Sequence, residues 1–297
     1  AFEGCMTNHL KGLLMTIFAV VILSPDSVLI RLVEEASSEI DSWTVLFWRG
    51  SLYAVGVSLL VLIKYRSKTI AEFKNIGKGG LLIGLFSGIS TGTFVFAIVY
   101  TSIANALVII STGPIMIAIV AWFLLKEKSS LITWASMVIV FIGIYIVMSG
   151  SFGGKSLVGD FFALITAVMM GFTFTLTRKY KDVNMVPVNA IGGLIAALIA
   201  FLMANQITVP AEVVGYIIAM GAILSISFSL ITIAPRYMPA AEVGMIMPLE
   251  TVLGSLIAWY VINEVPSVNA LVGGTIVIVT LFLHSWYSTR LAKNQIN

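Results

Sequence analysis

Ten apolar stretches, each about twenty residues long, follow one another along the chain. A stretch of that length crosses a hydrocarbon core of about 30 Å as an α-helix. The polar segments between the stretches are short, and the longest, residues 64–78, is too short for a folded domain. The pattern predicts an all-α integral membrane protein with ten transmembrane helices. These predicted helices cover residues 12–33, 43–63, 79–101, 104–125, 131–149, 157–177, 186–204, 212–234, 240–262 and 268–287.

The composition also indicates a membrane protein. Of the 297 residues, 59% are hydrophobic and only 10% are charged, whereas charged residues make up about a quarter of a soluble domain. The single cysteine, Cys5, excludes an internal disulfide and a cysteine-based metal cage. The expected partners are a small solute and membrane lipids, and no nucleic acid is expected.

Basic residues in the connecting segments predict the orientation. If the N-terminus is cytoplasmic, fourteen Lys and Arg residues fall in cytoplasmic segments and one, Lys155, in an external segment. The first external segment, residues 34–42, is acidic and contains neither Lys nor Arg. Because cytoplasmic loops carry the excess of basic residues, both termini are predicted to lie in the cytoplasm, with the chain in a bacterial-type inner (plasma) membrane.

The two halves of the sequence resemble each other. At an offset of 137 residues Ala121–Trp122 aligns with Ala258–Trp259, and at an offset of 147 residues Arg31 aligns with Arg178. The chain is therefore predicted to contain two five-helix repeats, which cross the membrane in opposite senses because five is odd. Inverted repeats are typical of secondary transporters, whose substrate lies near the bilayer midplane. The predicted segments are a cytoplasmic N-terminal segment (1–11), the first repeat (12–149), the second repeat (157–288) and a cytoplasmic tail (289–297).

The end of each half resembles the EamA-type domain of the drug/metabolite transporter superfamily. The end of the first half has the sequence IVYTSIANALVIISTGPIMIAIVAWFLLKEKSS. It contains a turn of small residues, Pro114 in the middle of a helix, and Glu127 after the end of that helix. The corresponding stretch of the second half is APRYMPAAEVGMIMPLETVLGSLIAWYVINEVPS. Glu264 follows its last helix, but Thr251 stands where the first half has Pro114. This resemblance covers nearly the whole chain. It implies a secondary transporter, often an exporter of amino acids or other small metabolites, with its cavity between the repeats.

Asp26 and Arg49 are predicted to lie at the same depth in neighbouring helices. Counting about 1.5 Å per residue places them about 5 and 6 Å to the outer side of the bilayer centre. An intramembrane charge costs at least about 2.5–3.5 kcal/mol, so each is expected to face the protein interior and to have a partner. One interpretation is a structural ion pair. The other is that Arg49 binds a substrate carboxylate or phosphate while Asp26 orients it. Pro25 is expected to interrupt the helix beside Asp26.

Glu250 is predicted near the midpoint of the ninth helix, at a depth that only Arg49 among the basic residues could reach. A desolvated carboxyl group without a cationic partner is expected to keep its proton. Glu250 is therefore a candidate for proton coupling or for contact with an ammonium group. A structural glutamic acid, hydrogen-bonded inside the bundle, is the alternative.

Further candidates for substrate contact are other polar or aromatic residues of the predicted helices. Ser90 and Ser227 are equivalent at the offset of 137, although hydroxyl groups in transmembrane helices usually bond helices to one another. Asn105 begins the fourth helix and could instead satisfy the backbone of the turn before it. Trp48 could stack on a substrate.

Arg31 and Arg178 are predicted to be gate or anchor residues near opposite faces of the membrane. Arg31 lies about 13 Å from the bilayer centre on the outer side, where a long side chain can reach headgroups or the acidic external segment. Arg178, its equivalent in the second repeat, lies at the inner end of the sixth helix.

The arrangement of charges suggests the substrate. An anion-binding Arg49 together with acidic groups at Asp26 and Glu250 would suit an amino acid or a similar zwitterion. An organic cation, quaternary amine or drug is the alternative, with Arg49 fully occupied by Asp26. A membrane-embedded enzyme acting on a lipid-linked substrate is the alternative from another class. Neither a metal site nor a cofactor is expected, because the two histidines lie at or beyond the ends of the apolar stretches and the chain has no phosphate-binding loop.

Overall fold

The computed structural model describes residues 2–36, 40–126, 131–150, 156–180, 182–237, 243 and 246–294. Glu127 and Lys155, on which two of the sequence predictions depend, lie outside these residues. The secondary structure of the described part is helical, with two 3-10 helices, Arg66–Lys68 and Ala234–Arg236, and no strand. Its α-helices are α1 (Phe2–Leu23), α2 (Asp26–Glu35), α3 (Ser42–Tyr65), α4 (Thr69–Asn75), α5 (Gly77–Tyr100), α6 (Ile103–Ile110), α7 (Gly113–Leu125), α8 (Leu131–Ser149), α9 (Ser156–Lys179), α10 (Val186–Met203), α11 (Ala211–Ile233), α12 (Pro248–Ile262) and α13 (Val268–Asn294).

Seven helical segments in this part of the chain are long and apolar enough to cross a membrane. Three further apolar helices are shorter, namely Trp134–Ser149, Pro248–Ile262 and Val268–His284. These lengths and compositions are those of a multi-pass membrane protein. The count of ten spanning helices stays a prediction. The seven long segments are Leu10–Glu35, Ser42–Asn75, Gly77–Tyr100, Ile103–Leu125, Ser156–Lys179, Val186–Met203 and Ala211–Ile233.

Two of the long segments are interrupted near a proline. The first is broken at Ser24 and Pro25, between α1 and α2, because proline has no N–H to donate to the preceding turn. The hydroxyl of Ser24 donates a hydrogen bond to the carbonyl oxygen of Val20, at 2.7 Å. The second is broken between α6 and α7, just before Pro114. The predicted interruption beside Asp26 is therefore present.

The helices α7 and α12 end in the same way. Lys126 follows α7 with φ 53° and ψ 28°, and its N–H donates to the carbonyl oxygen of Ala121. Asn263 follows α12 with φ 55° and ψ 26°, and its N–H donates to Ala258. This is the left-handed C-cap that commonly ends a helix. The two caps are 137 residues apart, which is the offset of the sequence repeat.

Small residues allow the long helices to pack closely. Gly50 of α3 faces Gly193 of α10, and a Cβ atom on Gly50 would lie 2.7 Å from the Gly193 carbonyl oxygen. Gly143 of α8 and Gly273 of α13 approach each other in the same manner. Such contacts are characteristic of helix packing in membranes. One buried space lies among α1, α2, α3, α5, α6, α9, α10, α11 and α12, and it contains the candidate site.

Candidate functional site

Asp26 and Arg49 form a buried ion pair. Arg49 Nη2 lies 2.7 Å from Asp26 Oδ2, and Arg49 Nε lies 3.5 Å from Asp26 Oδ1. The side chain of Asp26 is 1% exposed and that of Arg49 is 4% exposed. Asp26 is the first residue of α2, so the break at Pro25 places its carboxylate at a helix N-terminus, where negative charge is stabilised. The structure thus brings together the two charged residues that helix counting placed at one depth.

The guanidinium group of Arg49 is held on one edge and on one face. Asp26 occupies the edge, and the ring of Phe94 covers the face, with 5.0 Å between Arg49 Cζ and the ring centroid. Arg49 Nη1 is buried and has no hydrogen-bond partner among the described residues. A buried donor without a partner costs free energy. The arrangement therefore leaves one oriented donor that a ligand acceptor can satisfy.

A cavity of about 120 Å³ adjoins this pair. Asp26, Arg49 and Glu250 are its charged lining residues. Phenylalanine rings and aliphatic side chains form most of the remaining wall, together with hydroxyl and amide groups. Among the described residues no group of three or more His, Cys, Asp and Glu side chains could hold a metal ion. The hydroxyl and amide groups of the wall belong to Tyr53, Ser87, Ser90, Thr91, Thr166, Thr173, Thr177, Asn189 and Thr232.

Glu250 reaches the cavity from the first turn of α12. It lies within electrostatic range of both Asp26 and Arg49. Within the described part of the chain, no hydrogen bond or ion pair to its carboxyl group is found. One cavity therefore contains an unoccupied guanidinium donor and an unoccupied carboxyl group.

The cavity extends from the level of the ion pair toward one end of the bundle. On α9 its lining residues reach Thr177, close to the helix end at Lys179. On α10 they include Asn189, in the first turn of that helix. Asn189 donates to Thr232 Oγ1, at 3.0 Å, across this part of the wall. Many of the basic residues that sequence analysis assigned to the cytoplasm lie at the same end, including Lys64 at the end of α3.

Arg31 joins several helices at the opposite end. Its Nη2 donates to the carbonyl oxygens of Ile98 and Thr101, at 2.5 and 2.6 Å, and lies 3.7 Å from Glu264 Oε2. Glu264 Oε1 accepts a hydrogen bond from the N–H of Ile103, at 2.5 Å. The ends of α5 and α6 are thereby bound to α2 and to the segment after α12.

Comparison with known proteins assigns the chain to a family. The EamA-like transporter family matches it twice, over residues 10–149 and 157–286. The chain belongs to this family. The EamA family is part of the drug/metabolite transporter superfamily, so the resemblance seen in the sequence is confirmed. The family and the apolar helices together identify a multi-pass membrane protein of a transporter family.

Two curated relatives of this EamA-family protein are both described as an uncharacterized transporter. The one from Clostridium kluyveri is 25% identical over 275 residues, which cover 82% of this chain and 84% of the relative. The one from Methanothermobacter thermautotrophicus is 21% identical over 197 residues, which cover 63% of this chain and only 57% of the relative. A protein of known crystal structure shares the fold, with a TM-score of 0.67 and 14% identity over 94% of this chain and 99% of that one.

Three predicted substrate contacts of this EamA-family protein lie away from the cavity. Trp48 donates its indole N–H to the carbonyl oxygen of Ile207, at 2.7 Å, and is turned toward that segment. Asn105 is buried in the first turn of α6, where Ser102 Oγ accepts its backbone N–H. Ser227 is completely buried on another face of α11. The depths of Trp48 and Ser227 are compatible with a midplane site, but their helices are rotated so that other residues line the cavity. Asn105 instead lies near the helix end at which Glu264 Oε1 accepts the N–H of Ile103.

The remaining predicted residues have the following places. Ser90 lines the cavity, with its hydroxyl 3.4 Å from the carbonyl oxygen of Thr166. Arg31 lies in the interhelical contacts described above. Arg178 is exposed in the last turn of α9, at the opposite end of the bundle. The two arginines thus lie at opposite ends, as the sequence repeat predicts.

Several cavity residues were missed by sequence reasoning. Phe94 and Asn189 line the cavity, but neither was predicted, because Phe94 is one of many phenylalanines and Asn189 is a single amide without a pattern around it. Thr166, Thr173 and Thr177 lie on one face of α9, at spacings of seven and four residues. That spacing is a signal of a polar helix face, so these threonines could have been identified in advance.

Proposed function

We propose that this protein is a secondary active transporter that moves an amino acid or a similar zwitterion by alternating access. The observation that carries the proposal is the pair of unoccupied groups in one cavity, Arg49 Nη1 and the Glu250 carboxyl. A zwitterion offers a carboxylate to a guanidinium donor and an ammonium group to a carboxyl group. The mostly apolar wall suits the rest of a small metabolite, as in other ligand cavities.

The proposed architecture is ten transmembrane helices in two inverted five-helix repeats. The double match to the EamA family supports two repeats, with bounds close to the predicted 12–149 and 157–288. The matching left-handed caps at Lys126 and Asn263 support an equivalent local structure in both. Inverted repeats permit rocking of one half against the other around a fixed midplane site.

The proposed orientation places both termini in the cytoplasm of a cell with a bacterial-type inner membrane. The basic residues support it, because they are concentrated at the end of the bundle toward which the cavity extends. In that orientation the cavity lies on the cytoplasmic side of the Asp26–Arg49 pair. The conformation is then inward-facing, and the ends joined by Arg31 form the closed external side.

A transporter of organic cations is the second candidate. It is favoured by the ion pair of Arg49 with Asp26 and by the phenylalanine rings at Phe94, Phe174 and Phe228 of the cavity wall, since aromatic faces attract cations. Either solute could be exchanged for a proton on Glu250. Transport driven by an imposed pH gradient would reveal that coupling.

The test is counterflow into proteoliposomes that contain the purified protein, with a panel of labelled amino acids and quaternary amines. We expect unchanged amino acids to accumulate, and a Glu250→Gln variant to lose amino-acid transport driven by a pH gradient. Glu212→Gln is the matched control, because Glu212 is an exposed acid at the start of α11. Accumulation of amines alone would contradict the zwitterion proposal, and conversion of the solute to a product would indicate an enzyme.

A further inference from the structure

The end of the bundle opposite the cavity is closed by charged and tightly packed groups. Beyond the contacts of Arg31 and Glu264, the hydroxyl of Thr101 donates to Asp160 Oδ1 of α9, at 2.7 Å. Next to it, a Cβ atom on Gly159 would lie 2.4 Å from the N atom of Thr101. The start of α9 therefore has no space between it and the end of α5. Any opening at this end requires these helices to separate.

Arg31 has the properties of a contact that can open. Its partners Ile98 and Thr101 are carbonyls at the C-terminus of α5, where the helix dipole attracts a cation. The ion pair with Glu264 is long, at 3.7 Å, and the two side chains are 15% and 21% exposed. A partly hydrated ion pair contributes little to the stability of the closed conformation. The buried Asp26–Arg49 pair, in contrast, would leave a desolvated charge if it were broken.

Little protein separates these contacts from the cavity. On α5 the last cavity residue is Phe94, and Ile98 follows one helical turn later. One turn corresponds to about 5.4 Å. A small separation of the helix ends around Arg31 would therefore connect the cavity with the external side.

The helix α2 links the two ion pairs directly. It begins with Asp26, after the break at Pro25, and it carries Arg31 five residues later. This distance is about 7.5 Å along the axis. Because a helix of this length moves as a rigid body and packed interfaces are bistable, a change in the bond from Asp26 to Arg49 is transmitted to Arg31.

We propose that Arg31 and Glu264 are the external gate of the transporter, and that α2 opens this gate when a solute at Arg49 weakens its bond to Asp26. The proposal rests on the alternating-access part of the proposed function and does not depend on the identity of the solute. It assigns Arg31 to a gate rather than to the alternative of a lipid anchor.

The test measures access to the cavity from each side of the membrane, without any solute. A Ser90→Cys reporter on the cavity wall is introduced into a Cys5→Ser background, which leaves a single thiol in the chain. A charged, membrane-impermeant thiol reagent is then applied to right-side-out and to inverted vesicles. With the gate intact, we expect fast labelling from the cytoplasmic side and slow labelling from the external side.

Arg31→Ala, which removes the hydrogen bonds to Ile98 and Thr101 as well as the ion pair, is expected to raise the rate of external labelling about tenfold. Glu264→Gln, which removes only the partly exposed ion pair, is expected to raise it about twofold to fivefold. Glu35→Gln is the matched control, because Glu35 is an exposed acid at the end of α2 and should leave the rate unchanged. Gel filtration and unaltered cytoplasmic labelling show that each variant is folded. Unchanged external labelling in both folded gate variants would overturn the gate.

The coupling through α2 has its own variants. Asp26→Asn weakens the bond to Arg49 and is expected to raise external labelling even though Arg31 and Glu264 are intact. Asp26→Glu retains the charge and should have a much smaller effect. Equal labelling in both variants would refute the coupling. Because the labelling needs no solute, a failure of amino-acid counterflow would leave these results interpretable, so failure of the gate and failure of the proposed substrate are distinguishable.

Discussion

Replacing Arg49 by lysine tests whether the guanidinium group recognises a solute carboxylate. Lysine keeps a positive charge opposite Asp26, whose Oδ2 lies 2.7 Å from Arg49 Nη2. A compact ammonium group in contact with Asp26 cannot also supply a donor at the position of Nη1, whereas the planar guanidinium fork serves both. The variant therefore removes the unoccupied donor while it retains the buried charge pair.

The magnitude follows from the one hydrogen bond that is removed. A hydrogen bond to a charged group contributes about 1.5–3 kcal/mol, which corresponds to about 10-fold to 150-fold in affinity. We expect the KM for amino-acid uptake into proteoliposomes to rise by this factor. Uptake of the matching amine, which lacks the carboxylate, should change less than about threefold, because it never uses the Nη1 donor.

Two results would refute this reasoning. One is an equal rise in KM for the amino acid and for the amine, which would mean that the lysine disturbs the cavity as a whole. The other is an unchanged KM for the amino acid, which would mean that Arg49 serves only its ion pair with Asp26. Thermal unfolding in detergent, followed by tryptophan fluorescence, provides the control for correct folding of the variant.

Two further predictions concern stability, measured by unfolding in detergent. Arg49→Ala should lower the free energy of unfolding by about 3–5 kcal/mol, because Asp26 would keep a buried charge without a partner; the double variant with Asp26→Ala should recover much of this loss, and additive losses would contradict the pairing. Gly193→Ala should destabilise by about 1–3 kcal/mol, because its Cβ atom would lie 2.7 Å from the Gly50 carbonyl oxygen. Gly215→Ala, which meets nothing within 4 Å, should be neutral or stabilise by about 0.4–1 kcal/mol, and equal effects at both glycines would contradict the close approach.

Depth along a helix was predictable from the sequence. Apolar length locates each helix, and rise per residue then places Asp26, Arg49 and Glu250 near one level. The structure brings these three residues to one cavity. The interruption at Pro25 was also predictable, because it follows from the local chemistry of proline.

Rotation about the helix axis was not predictable. In a soluble helix the hydrophobic face identifies the side that faces the core. A transmembrane helix is apolar toward lipid as well as toward its neighbours, so the pattern does not distinguish the two sides. Depth alone therefore predicted Ser227 and Trp48 as cavity residues, whereas in the structure both side chains lie away from the cavity.

The sequence by itself determined a membrane protein of a transporter family and the approximate places of its long apolar helices along the chain, because these depend on composition and on spacing along one chain. Only the tertiary structure decided which side chains share the cavity, toward which end it extends, and that Arg31 meets Glu264. These features depend on contacts between helices distant in the chain. Such contacts are selected by close packing and hydrogen bonding rather than by hydrophobicity, which is uniform within the membrane.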